Sequence, residues 1–204
     1  MRGVLRVVAA AALTVAVSVI GITDTQANEA TEGKSWPLDV VLGKADAPNT
    51  VIEYMSLNCP HCARFAADPF PRLKKELIDT GKVKWIMRDF PLNDTAMAAA
   101  MIAHCSGDKY MAFVDAFFQT QGTWAVAKDP ITAIKNVGRL GGMDAAAVDK
   151  CLADNDMVQQ INARVTEASD KLKINSTPTF IINGKQAVGE KTYDEFMKLL
   201  PAVN

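Results

Sequence analysis

Apolar positions recur along this chain with two different periods, and the change from one to the other outlines the fold. Residues 50–55 form a β-prone run that stops at Ser56-Leu57-Asn58, directly before Cys59-Pro60-His61-Cys62. From His61 onward Phe65, Phe70, Leu73, Leu77 and Ile78 recur at helical spacing, with Pro69 and Pro71 expected to kink or interrupt the helix after its second turn. Gly81 ends that helix, and residues 82–88 predict a second strand, closing a β-α-β unit expected to be parallel and right-handed. Between residues 95 and 173 the pattern is helical only, with helices expected over 95–105, 110–120, 130–140, 144–153 and 157–172. The β signal returns at 179–182, turns tightly at Asn183-Gly184, continues through 186–188, and gives way to a last helix over 193–200.

The N-terminus carries a different signal. Arg2 and Arg6 flank the start of an apolar run from residue 7 to 22, and Thr25-Gln26-Ala27 offers small residues for cleavage. This predicts a signal peptide over 1–27 and a protein that is periplasmic or otherwise exported. The alternative is a retained anchor, but the run falls short of the ~20 apolar residues of a spanning helix. Residues 28–35 are polar and small and read as a flexible leader. The 204 residues carry 22 Lys plus Arg against 23 Asp plus Glu, a net charge of −1, so no charged field points to nucleic acid.

Four cysteines, Cys59, Cys62, Cys105 and Cys151, follow the cleavage point and would enter an oxidising compartment. A CxxC pair by itself supplies two zinc ligands, two redox thiols or two small buried hydrophobes. Its placement between a strand and a helix start favours redox chemistry, because free N–H groups and the positive dipole end stabilise a thiolate at Cys59. Cys105 and Cys151, both in the helical segment, are expected to form a structural disulfide. A four-cysteine zinc site, even with His104 as a substitute ligand, fits no common spacing, so no metal is expected. Met87, Met97, Met101 and Met111 could furnish an adaptable surface for unfolded polypeptides, but are expected mostly in the core.

The strand-CPHC-helix unit, Thr177-Pro178 before a hairpin and the helical segment between them together resemble the DsbA-like periplasmic thiol:disulfide oxidoreductases of the thioredoxin superfamily, over nearly all of residues 36–200. The resemblance implies an α/β, thioredoxin-like fold with an inserted all-helical domain: residues 36–94 and 174–204 form the thioredoxin-like part, 95–173 the insertion. It implies that Cys59 is the attacked sulfur and Cys62 its buried partner, with Pro60 and His61 tuning the pair. Pro178 would be cis and pack against the disulfide, and Thr177 would offer its backbone to an extended substrate. Glu53 matches a buried acid beneath the active site, a candidate proton relay to Cys62; the other reading is a solvent-facing strand-edge residue. The best-known oxidases carry an aliphatic residue at the position of Thr177, whereas disulfide isomerases often carry Thr.

The implied activity is oxidation of reduced exported polypeptides by a monomer, without a cofactor, followed by reoxidation by a membrane partner of the DsbB type. An isomerase or reductase, and a non-catalytic polypeptide-binding protein on the same fold, remain as alternatives.

Overall fold

The computed structural model describes residues 36–201; the expected signal peptide and leader lie outside them. Five strands, β1 (Val40–Leu42), β2 (Asn49–Met55), β3 (Val83–Asp89), β4 (Thr179–Ile182) and β5 (Lys185–Val188), form one sheet in the order β1-β3-β2-β4-β5. The central pair is parallel, in register from Asn49 against Val83 to Met55 against Asp89, and the other three pairings are antiparallel. Both central strands are buried almost throughout, so neither shows the apolar–polar alternation of a strand with one face in solvent. The hairpin between β4 and β5 turns at Asn183 (φ +45°) and Gly184 (φ +78°), the pair of positive φ values that a tight turn of this hand requires.

The crossover from β2 to β3 begins with α1 (Pro60–Ala67). It breaks at Asp68 and restarts as α2 (Pro69–Leu73), because Pro69 has no N–H to continue the ladder but fits the first turn of a new helix. The chain continues through a wider π turn over Lys74–Ile78 before Gly81, at φ +79°, leads into β3. Phe65 of α1 packs against Phe180 of β4 with ring centroids 4.8 Å apart, and Trp85 of β3 stacks on Phe196 at 5.4 Å. Phe196 belongs to the last helix (Tyr193–Leu199), which starts with a capping box between Thr192 and Glu195. This aromatic cluster fixes the underside of α1.

The insertion comprises α3 (Asp94–Cys105), α4 (Tyr110–Gln119), α5 (Gln121–Trp124), α6 (Pro130–Leu140), α7 (Ala145–Leu152) and α8 (Asn155–Leu172). Asn93, Asp129, Asp144 and Asp154 each accept a backbone N–H at the start of a helix, the polar signals that separate α3, α6, α7 and α8 in the sequence. Two elements were not anticipated. β1 pairs three residues with β3, and α5 is a single turn held by Trp124, which is 1% exposed and donates Nε1–H to Phe117 O at 2.7 Å. Met87 and Met101 are buried in the core, and Met97 and Met111 pack against it.

Buried polar pairs join the insertion to the sheet. Asp39, just before β1, accepts two hydrogen bonds from Arg88 of β3, each 2.9 Å long, and lies 3.9 Å from Arg164 Nη1 of α8. Arg164 also donates to Pro37 O at 2.7 Å. His104 of α3, the residue weighed as a zinc ligand, instead pairs its Nε2 with Asp89 Oδ2 at 2.6 Å.

Candidate active site

Cys59 is the N-cap of α1, in extended backbone geometry, and Pro60 occupies the first helical turn, where a missing N–H costs nothing. The loop from β2 is held by Cys59 N–H donating to Ser56 O at 3.0 Å and by Leu92 N–H donating to Ser56 Oγ at 3.3 Å. The Thr177-Pro178 peptide bond is cis and sits directly against this helix start: Cys59 Sγ donates to Thr177 O at 3.1 Å.

The two thiols, three residues apart, titrate in opposite directions. Cys59 is lowered from 9.0 to about 5, chiefly by the Cys62 thiol, with burial opposing; the Thr177 hydroxyl and the backbone N–H groups of Cys62 and His61 add to the lowering. A thiolate no longer donates to the Thr177 carbonyl, and the Thr177 hydroxyl, buried and otherwise unpartnered, is then the free donor. Cys62, with no exposed surface, is raised well above 9.0, first by burial, then by the hydrogen bond and charge of Cys59 and by the charge of Glu53.

Glu53 is not the strand-edge residue of the alternative reading. It lies on central strand β2, 3% exposed, and accepts from Trp85 Nε1–H at 3.1 Å. Burial pushes its carboxyl up to about 8 against the Trp85 bond, so it holds its proton at neutral pH.

The hydrogen bonds of the His61 side chain go to Glu190 and Arg64 rather than to Cys59, and the ring is 60% exposed; the backbone N–H of His61 is among the groups that lower Cys59. A groove of about 730 Å³ opens there, lined among others by His61, Arg64, Pro69, Thr177 and Glu190. Cys105 and Cys151 form a disulfide between the end of α3 and α7, within the insertion.

Gln121 escaped the sequence reading. From α5, its Nε2 donates to Leu57 O at 2.7 Å and Cys59 O at 3.1 Å, tying the insertion to the start of the CPHC helix. No local signal marks it, because its partners are backbone carbonyls 64 and 62 residues away. Among the described residues, no group of three or more His, Cys, Asp or Glu side chains could hold a metal ion, and no helix is long and apolar enough to cross a membrane.

A family model described as thioredoxin matches residues 35–202. The chain belongs to the thioredoxin family. Within it the chain is DsbA-like, a thioredoxin fold with a helical insertion, similar to the crystal structure of α-DsbA1 from Wolbachia pipientis. That similarity runs at 30% identity and a TM-score of 0.77 over 85% of this chain and 93% of that one. A putative protein-disulfide oxidoreductase of Rickettsia bellii is 34% identical over 150 residues, which are 72% of this chain but only 58% of that longer protein. Disulfide bond formation protein D of Bacillus subtilis is 29% identical over 189 residues, covering 86% of this thioredoxin-family chain and 82% of its own.

Proposed function

We propose that this protein is an exported protein-disulfide oxidoreductase that donates the Cys59-Cys62 disulfide to reduced exported polypeptides. The observation that carries this reading is the placement of two thiols at one helix terminus, Cys59 as the N-cap against Thr177-Pro178 and Cys62 fully buried, which drives their ionisation in opposite directions. A sulfur that ionises easily is a good leaving group, and its neighbour is kept as a thiol.

In the oxidised protein a substrate thiolate attacks Cys59 Sγ. The Cys59-Cys62 bond breaks, and its electron pair goes to Cys62, which takes a proton. Glu53, protonated at neutral pH and coupled by charge to Cys62, is suited to supply that proton and later regain it. A second substrate thiolate attacks the substrate sulfur of the mixed disulfide, and Cys59 departs as a thiolate. The substrate loses two electrons and two protons; one proton remains on Cys62 and the other goes to solvent. Thr177 and Pro178 present the backbone along which an extended substrate docks, and Pro60 starts α1 without a competing N–H. A membrane partner of the DsbB type accepts the two electrons when Cys59 and Cys62 are reoxidised.

Thr177 beside the cis-proline favours a second reading, isomerisation. Parallel assays separate the two: oxidation of a reduced multi-thiol protein, reshuffling of a scrambled one, and the equilibrium with glutathione. Rapid oxidation with little reshuffling, and a glutathione equilibrium lying toward the reduced form, is expected. Reshuffling that outpaces oxidation makes the protein an isomerase, and inactivity in both assays leaves a polypeptide-binding role.

A further inference from the structure

The groove beside Cys59 is crossed by a bridge that the exchange steps above do not use. Glu190 stands in the turn after β5, and that turn is tied to the cis-proline: Gly189, at φ +84°, donates its N–H to Pro178 O at 2.8 Å. The Glu190 carboxylate reaches α1 on the opposite wall. It accepts from Arg64 Nε at 3.0 and 3.2 Å, and its Oε2 lies 2.8 Å from Arg64 Nη2 and 2.9 Å from His61 Nδ1. Arg64 Nη2 approaches the same Nδ1 at 2.6 Å.

One ring nitrogen cannot serve both neighbours. Without a proton, Nδ1 accepts from Arg64; with one, it donates to Glu190, and when Nε2 is protonated as well the ring faces Arg64 as a like charge. Glu190 therefore favours the imidazolium, and Arg64 opposes it. Partial burial works to raise the Glu190 carboxyl, but Arg64 and His61 hold it below its usual range, so the acceptor is ionised. The other charged groups around the groove are Asp68, just after α1, and Lys191 and Glu195 on the far wall. Lys191 donates to the carbonyls of Gly189 and Glu190, and Glu195 is held in its capping box with Thr192.

We propose that Glu190 is a positioning residue for the redox pair: with Arg64 it holds the His61 imidazole across the groove and sets the charge that His61 carries two residues from Cys59. The inference rests on the reading of Cys59 and Cys62 as the reactive pair. A positive charge there favours the Cys59 thiolate and with it the reduced form.

The sequence has two histidines, so the His61 ring resonances can be followed through a pH titration of the reduced protein by NMR. Glu190→Gln should lower the His61 pKa, and Arg64→Gln should raise it. The glutathione equilibrium should follow, shifting about two- to fivefold toward the disulfide form in Glu190→Gln and toward the reduced form in Arg64→Gln, the size of an exposed ion-pair effect. In a His61→Ala background both shifts should vanish. The proposal is overturned if the two substitutions move His61 in the same direction or not at all, or if the Glu190→Gln shift persists without His61. Should Glu190→Gln fail to fold, Arg64→Gln alone decides, since a His61 titration left unmoved or lowered by it contradicts the bridge. The titration needs no exchange assay, so a protein without exchange activity would sink the functional reading and leave the test of the bridge standing.

Discussion

The two cysteine pairs of this protein are not told apart by burial. Cys59 and Cys62 are buried, and so is Cys151 of the disulfide within the insertion, whose other half, Cys105, is exposed. What separates the pairs is where each sulfur stands relative to helix ends. Cys59 caps the start of α1, where N–H groups point toward a thiolate, while Cys105 closes the last turn of α3, where carbonyls would oppose one. The first pair gains from having a charged form; the second gains from never ionising.

The strongest way to break this comparison is to exchange thiols for hydroxyls. Cys59→Ser should abolish disulfide transfer, and Cys62→Ser should accumulate mixed disulfides with substrates, visible on non-reducing gels, because the internal resolving thiol is gone. Replacing Cys105 and Cys151 together should leave transfer intact. Equal trapping by the Cys59 and Cys62 variants would contradict their separate roles.

A smaller effect is expected on stability. The Cys105-Cys151 disulfide closes a sequence separation of 46 residues, for which the chain-entropy model gives about 4 kcal/mol. Denaturant melts of the doubly substituted protein should fall by up to that amount. An unchanged midpoint would mean that the insertion is held by packing alone.

The effect that is smallest per step of the variable changed sharpens the contrast through pH. Cys59, lowered from 9.0 to about 5, contributes stability to the reduced protein that is complete above pH 9 and lost as the pH falls through 5. Glu53, raised from 4.5 to about 8, contributes stability that is complete below pH 4.5 and lost as the pH rises through 8. Between pH 5 and 8 the two slopes oppose one another, each approaching about 1.4 kcal/mol per pH unit. The reduced protein should therefore hold a nearly level stability across this range, while the oxidised protein, keeping only the Glu53 slope, declines. Glu53→Gln should flatten the oxidised curve. Parallel melting curves for the two redox forms would refute the assigned Cys59 ionisation.

Where the chain's own periodicity carries the information, the fold was legible: β2, β3, the hairpin and the five longer helices follow from apolar spacing, proline breaks and capping residues. β1 was missed because three residues, Val40–Leu42, are too few to display a period, and the strand exists only through its pairing with β3. The single turn of α5 contains Gly122 and is held in place by Trp124 in the core. The site divides in the same way. Cys59, Cys62 and Pro178 are contiguous with recognisable local patterns, and Glu53 sits at a fixed interval before the CPHC. Gln121 and Glu190 reach the site across long stretches of sequence, so only the folded arrangement gives them partners.

Asp39 places a limit on where the folding unit can start. It is the shared counter-ion of two guanidinium groups, Arg88 and Arg164, each 1% exposed, one in the sheet and the other in the last helix of the insertion. A protease or a gene truncation that removed the chain through Asp39 would take away no part of the sheet and no part of the CPHC helix. It would nevertheless strip both buried cations of their common carboxylate, a loss of the kind that costs several kcal/mol. The short stretch ahead of the first strand thus ties the sheet to the last helix of the insertion through one carboxylate.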